Sequence, residues 1–138
     1  MAKYSLSDIS KKMRKIDICM MTTIGPNGHL TSRPMSNNGD VEYEGNSYFF
    51  TYNESEVIKE LGENSNIDLS FQGPDMLYIS ITGKGDLIEN KEVLKEHWVK
   101  SLNRWFEDGV ETPGIIMIHV KADHIKFWQK EEVGEVKC

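Results

Sequence analysis

The chain is short of cysteine, of positive charge and of long apolar runs, and each shortage removes a class of protein. Its two cysteines are Cys19, inside an apolar stretch, and Cys138, the last residue, a pairing that argues against a disulfide-framed secreted domain. His29, His97, His119 and His124 fall at no metal-ligand spacing and neither cysteine stands near one at finger-like intervals, so no metal site is expected. No apolar run approaches the roughly 20 residues of a membrane span, and Met1 to Ser5 leads into no apolar signal core, so the chain reads as cytoplasmic with no membrane partner. The formal net charge is −6, which speaks against DNA or RNA as the main partner and requires any anionic ligand to be held by local donors. There is neither an internal repeat nor a low-complexity segment.

With 38% hydrophobic and 28% charged residues in 138, the chain suits one soluble globular domain spanning 1–138. Ser5 or Ser7 caps a first helix within 1–15, with Leu6, Ile9 and Met13 on one face, placed to lid one end of a barrel. Ile16 to Ile24 reads as a strand, and Gly25-Pro26-Asn27-Gly28 turns it back into Leu30 to Met35. The turns Asn37 to Asp40 and Glu44 to Asn46 bound a second antiparallel pair, Asp40 to Tyr43 with Ser47 to Tyr52. Ser55 to Leu61 forms a short helix stopped by Gly62. Ile67 to Gln72 and Met76 to Lys84 alternate as strands, with a bulge expected at Gly83 and Gly85. Asn90 caps a helix to about Ser101 carrying Val93, Leu94, His97 and Trp98 on one stripe. Ile115 to Val120 and Ile125 to Gln129 are two last strands, and residues 130–138 form a solvated tail. Hairpin-length connections favour a mainly β (α+β) fold, a small closed antiparallel barrel of about six or seven strands with a few short helices.

The stretch most suited to a ligand is Thr31-Ser32-Arg33-Pro34-Met35 with Tyr48-Phe49-Phe50-Thr51. Two β-prone runs deliver hydroxyls and one cation, and the second leads directly into a helix start at Ser55. The plainer readings stand beside this one. Arg33 in a strand is commonly an ion-pair partner, Ser55 is first of all a helix cap, and Trp98, Trp105 and Trp128 are packing residues by default. Capping and anion binding also compete for the same helix amides. The Trp105-Phe106 pair is placed equally well to cover a cleft or to join the core. No nucleophile with an adjacent base and no paired carboxylates stand out.

The order of landmarks carries a resemblance. Ser32-Arg33-Pro34-Met35, Phe49-Phe50-Thr51, a helix opening at Ser55, Asp68-Leu69-Ser70-Phe71, Gly83-Lys84-Gly85 and Ile125-Lys126-Phe127-Trp128-Gln129 together resemble the pyridoxamine 5′-phosphate oxidase-like split barrels, and within them the general stress protein 26 branch. The resemblance implies a six-stranded split β-barrel and a homodimer with FMN, or alternatively FAD, in clefts at its interface. Ser32, Arg33, Pro34 and Met35 would lie along the flavin and its phosphate, Phe50 and Thr51 would contact the ring and ribityl chain, and Ser55 and Lys59 would serve the phosphate. Trp128 would come from the other subunit. It further implies a flavin-dependent oxidoreductase drawing on NADH or NADPH. The alternatives are a flavin-binding or storage module without turnover, or a cofactor-free dimer with an interaction role.

Two departures shape these expectations. The oxidases open the phosphate helix with Ser-Arg-Lys, whereas this chain has Ser55-Glu56-Val57, and each lost charge-assisted bond costs about 1.5–3 kcal/mol, roughly ten- to a hundredfold in affinity. The oxidases also follow Phe-Trp-Gln with an Arg- and His-containing stretch and close the arginine strand with a lysine. Here those places hold Lys130-Glu131-Glu132 and Asn38, which argues against pyridoxamine phosphate as the substrate.

Overall fold

A computed structural model describes residues 4–14, 16–37 and 42–138. Seven strands form one antiparallel sheet in the order β2-β1-β4-β5-β6-β3, with β7 also on β6. The strands are β1 Ile18–Ile24, β2 Leu30–Ser36, β3 Asn46–Tyr52, β4 Asn66–Gly73, β5 Leu77–Ile88, β6 Ile115–Gln129 and β7 Glu132–Lys137. The sheet curls around one apolar core, and the helices α1 Leu6–Met13 and α2 Glu56–Glu63 contribute Ile9, Met13, Val57, Ile58 and Leu61 to it. This is the expected split barrel, with seven strands where the resemblance implies six.

Local chemistry explains most boundaries. Ser5 caps α1 in a reciprocal box with Asp8: the Asp8 amide donates to Ser5 Oγ at 3.3 Å and the Ser5 amide donates to Asp8 Oδ2 at 2.8 Å. The Gly25–Gly28 turn joins β1 to β2 as a hairpin in which Met20 faces Pro34 and Met21 faces Arg33. Alternation in β4 and β5 puts Ile67, Leu69, Phe71, Leu77, Ile79 and Ile81 into the core. The expected bulge lies between Thr82 and Gly83, where a Cβ on Gly83 would come within 2.0 Å of the Lys121 carbonyl oxygen.

Several expectations change. Of the expected strand Asp40 to Tyr43, residues 40–41 lie outside the described residues and 42–43 are not in a strand; β3 pairs with β6, Thr51 facing Ile116. Asn38 and Lys15 also lie outside the described residues. Gly62 does not stop α2, which continues through Glu63. The helix after Asn90 ends at His97 and is followed by a 3₁₀ turn over Lys100–Arg104. Ile115 to Val120 and Ile125 to Gln129 are one continuous strand; its first four residues, Ile115 to Ile118, are all buried because a second apolar cluster of Phe50, Leu94, Leu102 and Phe106 covers its other face.

The solvated tail is corrected as well. Residues 132–137 are β7, whose Gly134 faces Phe127 and whose Val136 enters the core at 9% exposure. Glu132, Glu135 and Lys137 are exposed or half-buried beside outward Val133, and so many charges in six residues hide the strand in the sequence.

Candidate flavin-binding site

Pro34, Met35, Phe50 and Thr51 converge on one cavity of about 360 Å³, within the roughly 300–1,000 Å³ typical of small-molecule sites. The hairpin delivers Pro34, Met35 and Ser36, and Ile18 of β1 stands opposite Ser36. Phe50 and Thr51 come from β3, and Leu102, Trp105 and Phe106 close the wall from the segment after α3. Phe106 is buried while Trp105 is 59% exposed at the rim, so the pair divides between core and cover. Among the described residues the lining contains no charged side chain, only the hydroxyls of Ser36 and Thr51 among apolar and aromatic groups.

Thr51 Oγ1 lies 3.4 Å from Ser55 Oγ, and the Ser55 side chain accepts no bond from its own helix. Ser55 thus occupies the cap position without spending its hydroxyl there; its Oγ instead accepts from Thr51, which is part of the cavity wall. A second cavity of about 350 Å³ shares Ser36, Phe50 and Leu102 with the first and continues past Tyr48, His97 and Glu96. Tyr48 is sandwiched there between His97, with ring centroids 3.7 Å apart, and His119, at 4.9 Å. Burial lowers the His119 pKa and favours the neutral ring, whose Nε2 is 2.8 Å from Asn46 Oδ1.

The remaining expected residues lie elsewhere. Strand alternation turns Arg33 to the opposite face from Pro34, where Nη1 donates to the Met21 carbonyl at 3.2 Å and Thr23 Oγ1 at 2.8 Å. Its Nη2 donates to Thr31 Oγ1 at 2.8 Å and Glu60 Oε1 at 3.0 Å. Glu60 also accepts from Thr23 at 2.6 Å and Thr31 at 2.7 Å, and these bonds, then Arg33, hold its pKa below the ordinary 4.5 against the opposing effect of burial. The ion-pair reading of Arg33 is therefore what the structure shows. Ser32 is exposed and bonded to Thr22 at 2.7 Å, and Lys59 lies on the exposed face of α2. Trp128 is on the outer face of the sheet, 39% exposed, between Tyr78 and Val133 and outside this protomer's cavity.

Glu60 was not among the residues singled out from the sequence. A signal existed, because it falls three residues after Val57 on the buried stripe of α2 with Leu61, and a carboxylate on such a stripe requires a partner.

A curled antiparallel sheet of this order, with a neutral, aromatic-walled cavity between its second and third strands, places the molecule among the split barrels. The chain belongs to the pyridoxamine 5′-phosphate oxidase-like family, which it matches over residues 5–137. It is similar to general stress protein 26 of Bacillus subtilis (strain 168), 24% identical over 89 residues, which are 62% of this chain and 63% of the relative's length. Among solved structures it is similar to a protein related to general stress protein 26 from Clostridium acetobutylicum, with TM-score 0.82, 16% identity and coverage of 96% and 93% of the two chains. It is also similar to the general stress FMN/FAD binding protein of Xanthomonas citri, with TM-score 0.76, 23% identity and coverage of 92% and 89%.

Proposed function

We propose that this chain binds a flavin, FMN or FAD, in the cavity of Pro34, Met35, Phe50 and Thr51, and serves as a flavin-dependent oxidoreductase on a small molecule. The observation that carries the reading is the cavity itself: apolar and aromatic walls with hydroxyls at Ser36 and Thr51 suit a planar ring bearing a polyol chain. The name of the Xanthomonas relative agrees with it. Bound there, a flavin supplies hydride and electron transfer. The protein's part would be to hold the ring with Phe50 and Trp105, to exclude water with Leu102 and Phe106, and to offer hydrogen bonds from Ser36 and Thr51. With no titratable side chain in the lining among the described residues, the protein contributes orientation rather than acid–base chemistry. The adjoining cavity beside Tyr48 and His97 gives a substrate or nicotinamide donor a place next to the ring.

Two copies pair, in this reading, through the outer face of the sheet. Ile18, Met20, Tyr78, Trp128 and Val133 are 39–50% exposed there, an apolar surface of the kind that marks an interface. Ile18, Pro34 and Ser36 belong to both that face and the cavity wall, so a symmetric partner would complete the site and could supply Trp128. The first experiment is a visible spectrum of the purified protein before and after adding FMN and desalting, with the released chromophore identified by chromatography. A retained flavin band supports the reading. A protein that stays colourless after saturation refutes it.

A further inference from the structure

Resting on the flavin reading, we infer that the site holds its ligand by ring and polyol chain and scarcely distinguishes FMN from riboflavin, because Arg33 lies on the opposite strand face from Pro34 and is tied there to Glu60 and its neighbours instead of to the phosphate. Arg33 is adjacent in sequence to Pro34 and Met35 and is the obvious cation for an anionic ligand. The two terminal nitrogens of a guanidinium carry four N–H groups, and in Arg33 they meet four acceptors: Met21 O, Thr23 Oγ1, Thr31 Oγ1 and Glu60 Oε1. Glu60 is 5% exposed, so pulling Arg33 away would strand a buried carboxylate, and the pair resists separation.

Among the described residues, the cavity lining itself holds no cation. The helix expected to receive a phosphate opens with Glu56 behind Glu54, and Lys59 is on its exposed face. A phosphate monoester carries about −1.5 to −2 charges at neutral pH, and here it would enter a chain of net charge −6. A guanidinium contact would favour FMN over riboflavin by about ten- to a hundredfold. Without it the two ligands bind within about threefold of each other, and the phosphate is left toward solvent.

The test titrates the full chain with riboflavin and with FMN, following quenching of flavin fluorescence, at about 50 mM and about 500 mM NaCl. In the wild type the two affinities agree within about threefold, and FMN binding does not weaken as salt rises. Glu60→Gln weakens the hold on Arg33 and raises the FMN-to-riboflavin preference at least fivefold, and Glu60→Gln with Arg33→Ala returns it to the wild-type ratio. A wild-type preference for FMN above tenfold that falls with salt and vanishes in Arg33→Ala overturns the inference while leaving the flavin reading intact. A ratio near one that Glu60→Gln leaves unmoved overturns the role given to Glu60. Binding of neither flavin overturns both readings together. If Glu60→Gln does not fold, the wild-type ratio and its salt dependence decide alone.

Discussion

Glycine-to-alanine substitution at two positions should move stability in opposite directions, and the sign at each tests a separate part of the fold. An alanine Cβ at Gly134 would lie 2.1 Å from Phe127 Cε1, 2.5 Å from its Cζ and 2.7 Å from Tyr4 Cδ2. Phe127 is fully buried and cannot turn aside, and Tyr4 packs edge-on against it at 4.8 Å. Two responses compete. Overpacking with local displacement of β7 costs about 1–3 kcal/mol. Releasing the whole strand would uncover Phe127 and Val136 at about 1.5–3 kcal/mol each, so displacement is the cheaper route and the expected loss is about 2–3 kcal/mol. With a urea slope of about 1–3 kcal/mol per molar, the unfolding midpoint falls by about 1 M. At Gly62, inside α2, an added Cβ meets nothing within 4 Å, so alanine gains about 0.5–1 kcal/mol of helix propensity and the midpoint rises by a few tenths molar. A Gly134→Ala variant as stable as the wild type would refute the docking of β7 and restore residues 130–138 to a solvated tail.

Other outcomes follow from the same contacts. Glu60→Ala leaves Arg33 and two threonine hydroxyls without their shared acceptor and should cost about 3–5 kcal/mol in urea unfolding at neutral pH. Because the Glu60 pKa is lowered in the folded state, its contribution is complete above the ordinary value of 4.5 and is lost as pH falls through the lower native value. A midpoint series from pH 7 to about pH 3 should therefore show an acid limb that Glu60→Gln diminishes. Trp128→Glu on the outer sheet face should shift sedimentation velocity from dimer toward monomer, and an unchanged boundary would remove that face from the interface. Trp105→Ala at the cavity rim should weaken flavin binding by about five- to tenfold, the worth of a partly exposed stacking contact, with the urea midpoint nearly unmoved.

Much of the barrel was legible because period-two alternation is strong where one face is buried, as in Leu77, Ile79 and Ile81 against Tyr78, Ser80 and Thr82. Where both faces meet protein, as at Ile115 to Ile118, the run announces burial but not the strand's length, and Lys121 to Asp123 at the bulge break the pattern and divide β6 on paper. β7 escaped notice because only Gly134 and Val136 face inward, and a glycine gives no hydrophobic signal. That Pro34, Met35, Phe50 and Thr51 line one cavity was readable for a local reason: Pro34 and Met35 lie on a hairpin, and Phe50 and Thr51 lead into a helix start. The fate of Arg33 was not readable, because it depends on Thr23 and Glu60, brought beside it by β1 and α2. The same sequence pattern serves a cation facing a ligand and one facing a carboxylate.

The strand pairings also impose an order on how the cavity is assembled. One wall, Pro34 and Met35, belongs to a hairpin whose partners Ile24 and Leu30 are separated only by a tight turn, a pairing that closes in microseconds. The other wall, Phe50 and Thr51, is placed only when β3 finds β6, Thr51 opposite Ile116, across most of the intervening chain. Long-range closures of this kind are slow. The cavity should therefore be among the last features to appear during refolding, and a ligand that bridges its walls would act as a clasp on the slowest-formed seam of the sheet, slowing its reopening.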